Sequence, residues 1–336
     1  MLQQTASPGL DPTRVSAWVI SDGTIGMEIQ SLGLARAIGV EPVLKRVAPR
    51  LPWRALPARA WVFPFLALGP GSAPLAPPWP DLVIGTGRVA AAFSSAIRRA
   101  SGGRSFTVQM QNPHLPPDRF DLIVVPEHDG YAAANAVVTL GSMHQITPGR
   151  LAEARAAWAP RFAHLKRPLV VVLVGGSNRR YRLDLEAATR LGADLAPLAR
   201  DHGLAITPSR RTGKENEAAL AAALAGTDAY VWDGVSENPY LGLLSLADAI
   251  IVTPDSTNMA TEALATGKPV HVVQLPGRPG KFGVFHALLE KRGYTRPFRG
   301  RIESWTYAPP DDTGRVAALV RARLAERLPA APAGRM

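Results

Sequence analysis

The sequence predicts an α/β protein made of two Rossmann-like domains with parallel sheets. Three observations predict it. Short, nearly uninterrupted apolar runs alternate with longer helical patterns along most of the 336 residues. Strands that are apolar on both faces belong to parallel sheets covered by helices on each side. Hydrophobic residues make up 46% and charged residues 19%, which provides for substantial cores and argues against global disorder. A second valine-rich run that opens onto a glycine pair restarts the pattern near residue 170, and the length suits two domains of ordinary size.

The elements follow in order. Residues 15–21 read as the first strand and 27–38 as the first helix. Residues 51–80 break the alternation: they are rich in proline and tryptophan, with Arg54 and Arg59 among Trp53, Trp61, Phe63 and Phe65. Aromatic rings beside arginines suit an acidic membrane surface. The prolines, which break the amphipathic helix a membrane anchor would want, favour instead a short buried helix plus a loop around the first sheet. Strands are predicted at 81–84, 105–110, 121–125 and 136–140, with a helix over 89–100. Residues 147–168 are helical in pattern and bounded by prolines, so the domain boundary is placed there. Strands at 169–174, 203–207, 229–232, 249–253 and 270–275 alternate with helices at 182–202, 215–224, 257–265 and 284–291. A last amphipathic helix spans 312–327. The expected domains are 14–150 and 165–305, with 306–328 returning across both.

Composition excludes several classes. The absence of cysteine removes disulfides, thiolate zinc sites and cysteine nucleophiles, and fits a reducing cytoplasm. The net charge of +11 favours anionic partners. It is spread evenly, with 15 basic and 10 acidic side chains in residues 1–165 and 23 and 17 in 166–336. With no basic tail and no RNA-binding aromatic signature, nucleic acid is not an expected partner. The first residues carry no basic start and apolar run of a secretory signal, and no 18-residue apolar stretch offers a spanning helix. The expected location is cytoplasmic, with peripheral attachment at the inner membrane.

Six polar segments lie at predicted strand ends. In 21–39, Asp22, Gly23 and Gly26 form a turn before a helix that carries Glu28, suited to a phosphate or sugar oxygen. The spacing is not the G-x-G-x-x-G dinucleotide fingerprint. In 81–91, Gly85 and Gly87 precede Arg88, a cation that a nearby anion would explain at a helix start. Gln111, Asn112 and His114 follow one strand, and Glu127, His128 and Asp129 the next. Both groups sit where open sheets bind ligands, and His128 suits a general base. No spacing matches a zinc signature, so no metal is expected. Gly175, Gly176 and Ser177 follow a buried strand, and their amides suit a phosphate. Ser209, Arg210, Arg211 and Thr212 at the next strand end suit a diphosphate. Finally Asp255 and Ser256 open a short helix that carries Glu262, whose two oxygens accept from two sugar hydroxyls.

The stretch DSTNMATEALATGKPV resembles the donor-nucleotide segment of GT-B glycosyltransferases, in which a glutamate holds the nucleotide ribose. More widely, DGTIGMEIQSLGLARAIG, PDLVIGTGR, QNPHLPPDRFDLIVVPEHD, VVLVGGSNRRY, SRRT and ENPYLGLLSLADAIIVTPDSTNMATEA resemble, in order, the mitochondrial fission (elongated mitochondria) family. The resemblance implies a GT-B architecture with two sheets facing a cleft, an acceptor-side first domain and a nucleotide-binding second one. It implies a nucleotide-sugar donor as substrate, no obligatory cofactor, and a lipid-linked or cell-envelope acceptor. A non-catalytic, membrane-associated adaptor is the alternative, since plant members are implicated in mitochondrial division. Epimerase labels carried by some relatives find no dinucleotide fingerprint and no Tyr-x-x-x-Lys pair here. Many GT-B enzymes place a basic histidine in the first glycine-rich loop. The equivalent position here is Met27, which leaves Asp22, Glu28, Glu127 or His128 to take a proton.

Overall fold

The computed structural model describes residues 10–328. Residues 1–9, part of the start expected to carry no secretory signal, lie outside the described residues. The chain divides into two compact units, one running to Gln145 and resuming at Asp311, the other spanning Ile146–Pro310. Both are parallel α/β sheets.

The first unit has strands β1 (Ala17–Ser21), β2 (Val43–Arg46), β3 (Leu82–Thr86), β4 (Phe106–Met110), β5 (Leu122–Pro126) and β6 (Ala136–Thr139), in the order β2-β1-β3-β4-β5-β6. Side chains alternate across the sheet with period two. Ala17 and Val19 face one side, packing with Leu34, Ala35 and Ile38 of α1 (Ile25–Ile38). Ile20 and Val83 face the other, packing with Ala91, Phe93 and Ile97 of α2 (Gly87–Ala100). Trp61 and Ala67 of the proline-rich segment close this second face.

The second unit begins with α3 (Pro148–Trp158), then β7 (Leu169–Val174), α4 (Leu185–Leu195), β8 (Gly203–Pro208), α5 (Lys214–Ala223), β9 (Tyr230–Val231) and α6 (Tyr240–Leu246). It continues with β10 (Ala249–Val252), α7 (Thr257–Leu264), β11 (Val270–Val272), α8 (Lys281–Lys291) and β12 (Thr295–Pro297), in the sheet order β12-β11-β10-β7-β8-β9. Every strand pair in both sheets is parallel. Strand β7 is wholly buried, as its unbroken apolar run requires.

Three elements lacked a sequence signal. Strand β2 is a half-exposed edge carrying Lys45 and Arg46, so its composition is that of a charged, blunted edge. Strand β12 is three residues ending in proline, and α6 is seven residues long, too short for a clear period.

The last helix, α9 (Asp312–Arg327), belongs to the first unit. Its Val316, Ala317, Val320 and Leu324 complete the core beside α1. Arg327 donates to Asp121 at 2.6 Å, and Arg98 of α2 reaches the same carboxylate at 3.1 and 3.2 Å. Thr107 adds its amide and hydroxyl at 2.8 and 2.9 Å. Burial alone raises the Asp121 pKa, but these hydrogen bonds outweigh it and hold the carboxyl below its usual range. The associated stability is therefore present above the ordinary aspartate pKa and lost as pH falls through the lower folded value. Because both arginines are partly exposed, Asp121→Asn is expected to cost about 2 kcal/mol, discounted from the cost of breaking a fully buried pair. Urea unfolding at pH 7 and at pH 3 checks this: the gap between wild type and variant should narrow in acid.

Candidate functional site

In an open parallel sheet, ligands gather at the carboxyl ends of strands where the chain changes direction. The second unit runs β7, β8, β9 to one side and β10, β11, β12 to the other, so its switch point lies between β7 and β10. The loops after β7, β8 and β10 are therefore neighbours. They carry Gly175, Gly176 and Ser177; Ser209, Arg210, Arg211 and Thr212; and Asp255 and Ser256.

One fully buried side chain ties these loops together. Asp255 Oδ1 accepts from the Thr253 hydroxyl at 2.6 Å. Its Oδ2 accepts from the Gly176 amide at 3.0 Å and pairs with Arg211 at 2.6 Å. Its carbonyl accepts from Asn178 Nδ2 at 3.0 Å. The Gly175 amide is also engaged, by Thr253 Oγ1 at 2.8 Å. This corrects the expected role of the glycine pair. The Gly176 amide meets an anion, but that anion is Asp255, and the Gly175 amide meets the Thr253 hydroxyl, so neither is left for a ligand phosphate.

The neighbouring hydroxyls serve the same internal purpose. Ser209 donates to the Gly175 carbonyl at 3.0 Å, and Thr212 Oγ1 donates to that carbonyl and accepts from the Ser209 amide at 2.9 Å. Ser177 Oγ accepts from the Leu183 amide at 2.9 Å. Ser256 caps α7 by accepting from the Met259 amide at 3.3 Å. Arg211 is held by Asp255, whereas Arg210 is exposed and makes no ion pair among the described residues. Asn178, Thr253 and Asp255 thus form a keystone that the sequence did not reveal. Its one visible signal was Thr-Pro-Asp-Ser at a strand-to-helix turn.

Glu262 lies on the second turn of α7, buried in the second unit. Its Oε2 accepts from the Tyr240 hydroxyl at 2.6 Å. Tyr240 opens α6, where Asn238 Oδ1 accepts from its amide at 3.0 Å. Burial pushes the Glu262 carboxyl up to about 7, against the Tyr240 hydrogen bond and the field of Arg150. Burial and the adjacent carboxylate also raise Tyr240. Sequence reasoning missed Tyr240, because 22 residues of chain separate it from its partner.

In the first unit, the three candidate bases do not come together. Glu28 is buried and accepts from Arg46 at 2.8 and 3.0 Å and from Ser21 at 2.9 Å. The Arg46 hydrogen bond holds its pKa below the glutamate range, overcoming burial. A carboxylate so fixed is a poor proton acceptor, so Glu28 is a structural tie from α1 to β2. Asp22 is exposed, and its Oδ1 accepts from the Thr24 amide at 3.0 Å. His128 lies in a single turn after β5. Three strand spacings separate β5 from β1, roughly 14 Å. Asp22 and His128 therefore cannot act as a hydrogen-bonded pair within this unit. Met27 abuts Gly87, and Arg88 donates to the carbonyls of Leu56 and Arg54. Those carbonyls explain the cation at the start of α2 without a ligand anion.

Among the described residues, no group of three or more His, Asp or Glu side chains is placed to hold a metal ion.

The family model described as Mitochondrial fission ELM1 matches residues 25–324. Mitochondrial fission protein ELM1 of Arabidopsis thaliana is 35% identical over 277 residues, 74% of this chain and 65% of the plant protein. The match thus spans slightly less than two thirds of that relative. Uncharacterized protein RP120 of Rickettsia prowazekii is 24% identical over 283 residues, 72% of this chain and 79% of that protein. Among solved structures, UDP-GlcNAc 2-epimerase from Neisseria meningitidis, bound to UDP-GlcNAc, aligns with a TM-score of 0.50 at 13% identity, covering 93% of this chain and 99% of that one. The Methanocaldococcus jannaschii UDP-GlcNAc 2-epimerase aligns at 0.52 and 10% identity, covering 92% and 98%. At such identities the likeness shows the fold: two Rossmann-like α/β units of the GT-B type.

Proposed function

The chain belongs to the mitochondrial fission ELM1 family, and from that premise we propose a nucleotide-sugar-dependent glycosyltransferase of the GT-B class acting on a cell-envelope or lipid-linked acceptor. The observation that carries the reading is Glu262. A buried carboxylate normally disappears into an ion pair, yet this one keeps a pKa near 7 and is held by a tyrosine hydroxyl. Such a group is poised to exchange its partner for sugar hydroxyls. Arg210, exposed and without an ion pair among the described residues, is the cation offered to a diphosphate.

The reaction needs no resident cofactor. The bond between the donor sugar and its diphosphate breaks, the acceptor oxygen bonds to the sugar carbon, and a base takes the acceptor proton. Asp22 and His128 are the candidates for that base, and Glu28 is withdrawn. Arginine and helix N-termini stabilise the departing diphosphate.

The test is a thermal-shift series against nucleoside diphosphates and nucleotide sugars. A ligand at 100 times its dissociation constant adds roughly 2.7 kcal/mol. One nucleotide class should raise Tm, and Arg210→Ala should weaken the response about tenfold. If no nucleotide at millimolar concentration moves Tm, the reading fails. Turnover unchanged in both Asp22→Asn and His128→Ala would remove both candidate bases.

A second reading, a non-catalytic, membrane-associated adaptor on the same scaffold, is favoured by one observation: with Met27 in place of a histidine and Glu28 fixed by Arg46, the first loop offers an acceptor proton only the exposed Asp22 carboxylate. Nucleotide binding without detectable transfer or hydrolysis would select it.

A further inference from the structure

We propose that the surface made by residues 51–66, with the cavity beside it, docks the protein on a bilayer rich in anionic phospholipid. This surface is separate from the nucleotide reading and rests on different residues.

The segment does not form an amphipathic helix. Its prolines divide it into three single turns, Trp53–Ala55, Ala58–Ala60 and Pro64–Ala67. The turns sort its apolar side chains into two sets. One set anchors: Trp61 is buried edge-on against Phe93 at 5.6 Å, and Phe65 stacks on Trp79 at 5.7 Å. Arg88 fixes the backbone from α2 through the carbonyls of Leu56 and Arg54. The other set faces solvent: Leu51 is 71% exposed, Val62 65%, Phe63 67% and Leu66 55%. Four exposed apolar side chains within one segment on a rigid base mark a candidate interaction site.

Phe63 sharpens the case. Its φ of 53° lies in the left-handed region, which disfavours a residue with a β-carbon. That conformation leads the chain into the turn Pro64–Ala67 and leaves the aromatic ring in water. Buried packing does not explain it, since the ring is mostly exposed.

Charge identifies the partner. Residues 42–80 contain five basic side chains and no acidic one. Arg54 and Arg59, both exposed, make no ion pair among the described residues. A cavity of about 490 Å³ opens beside the segment, lined by Trp61, Pro64 and Leu115 and rimmed by Arg99, Arg119 and Asp118. Val62 and Phe63 lie in the chain between Trp61 and Pro64, two of its lining residues, which puts these two exposed apolar residues next to the cavity. Apolar residues that reach the acyl boundary, with arginines at headgroup depth, suit an anionic bilayer. The cavity suits a phosphate headgroup above its first methylenes.

The experiment is co-sedimentation of the full chain with vesicles of phosphatidylcholine alone or with 30 mol%, an order-of-magnitude anionic content, of phosphatidylglycerol. Wild type should bind the anionic vesicles, and added salt should weaken binding. Phe63→Gly tests the surface without unfolding it, because glycine accepts the backbone conformation. That variant should keep or raise Tm while vesicle affinity falls about fivefold. Val62→Ser with Leu66→Ser should lower it at least about tenfold, and Arg54→Glu with Arg59→Glu should abolish the preference for anionic lipid. Absence of wild-type binding, or unchanged binding in Phe63→Gly and the double serine variant, overturns the proposal. So does a change of oligomeric state on light scattering with unchanged vesicle binding, which would make the surface a contact between copies of the chain.

Discussion

Gly176→Ala is expected to destabilise the second unit by more than about 3 kcal/mol. A β-carbon at Gly176 would overlap the carbonyl of Arg211. That obstacle is backbone and cannot swing aside as a flexible side chain could. To make room, the loop after β8 would have to move from the loop after β7. The move would break the bonds from Ser209 and Thr212 to the Gly175 carbonyl and pull Arg211 from Asp255. Asp255 would then be a fully buried carboxylate short of a partner, which is costly in itself. Gly149→Ala is the control. Gly149 sits in α3 with nothing within 4 Å of its added carbon, and its variant should match or exceed wild-type stability. Denaturant unfolding of both variants decides the point. A Gly176→Ala variant within about 1 kcal/mol of wild type would mean that the three loops are not locked together as described.

This keystone shows where sequence reasoning stops. The strand runs were legible because parallel strands are apolar on both faces, so 169–174 could be read with no knowledge of its neighbours. The position of Gly175 and Gly176 at a strand end was legible for the same reason. What their amides face was not. It depends on Asp255 folding back across 79 residues of sequence, and no local pattern records that pairing. A glycine pair that approaches a ligand and one that approaches an internal carboxylate read alike. The same limit hid Tyr240 from Glu262 and Arg46 from Glu28. Each is a polar contact between elements whose adjacency only the sheet order supplies. Edge strands failed differently: β2 and β12 are short and half-exposed, so their residues are chosen to avoid mispairing and carry no apolar run. In the proline-rich segment the prolines spoke against a long amphipathic helix, but the short buried helix expected there is three single turns. The sequence could not show that the resulting turns leave Phe63 outside.

Glu262→Gln carries the other large effect, and it separates binding from structure. The Glu262 carboxyl titrates near 7 in the folded protein, against an ordinary value of 4.5. Its folded pKa is raised, so the folded state holds the proton more tightly than the unfolded chain. The stability this brings is fully present below the ordinary value and is lost as pH rises through about 7. A shift of this size corresponds to about 3 kcal/mol between the two limits. Glutamine carries no charge, and its amide oxygen still accepts from the Tyr240 hydroxyl. The variant should therefore be more stable than wild type at pH 8 by up to about 3 kcal/mol, near parity at pH 4, with a Tm gain of roughly 6 °C at the alkaline end. A native chain that keeps a destabilising carboxylate has a use for it, since buried charge is otherwise removed at little loss. In this chain the proposed use is ribose binding, for which the ionised group accepts two hydroxyls and glutamine can offer one oxygen. Glu262→Gln should therefore gain stability and lose most of the nucleotide-dependent Tm shift in the same samples. A variant less stable at every pH would make Glu262 a purely structural acceptor for Tyr240. A variant that is more stable and still responds fully to nucleotide would move the ribose elsewhere in the second unit.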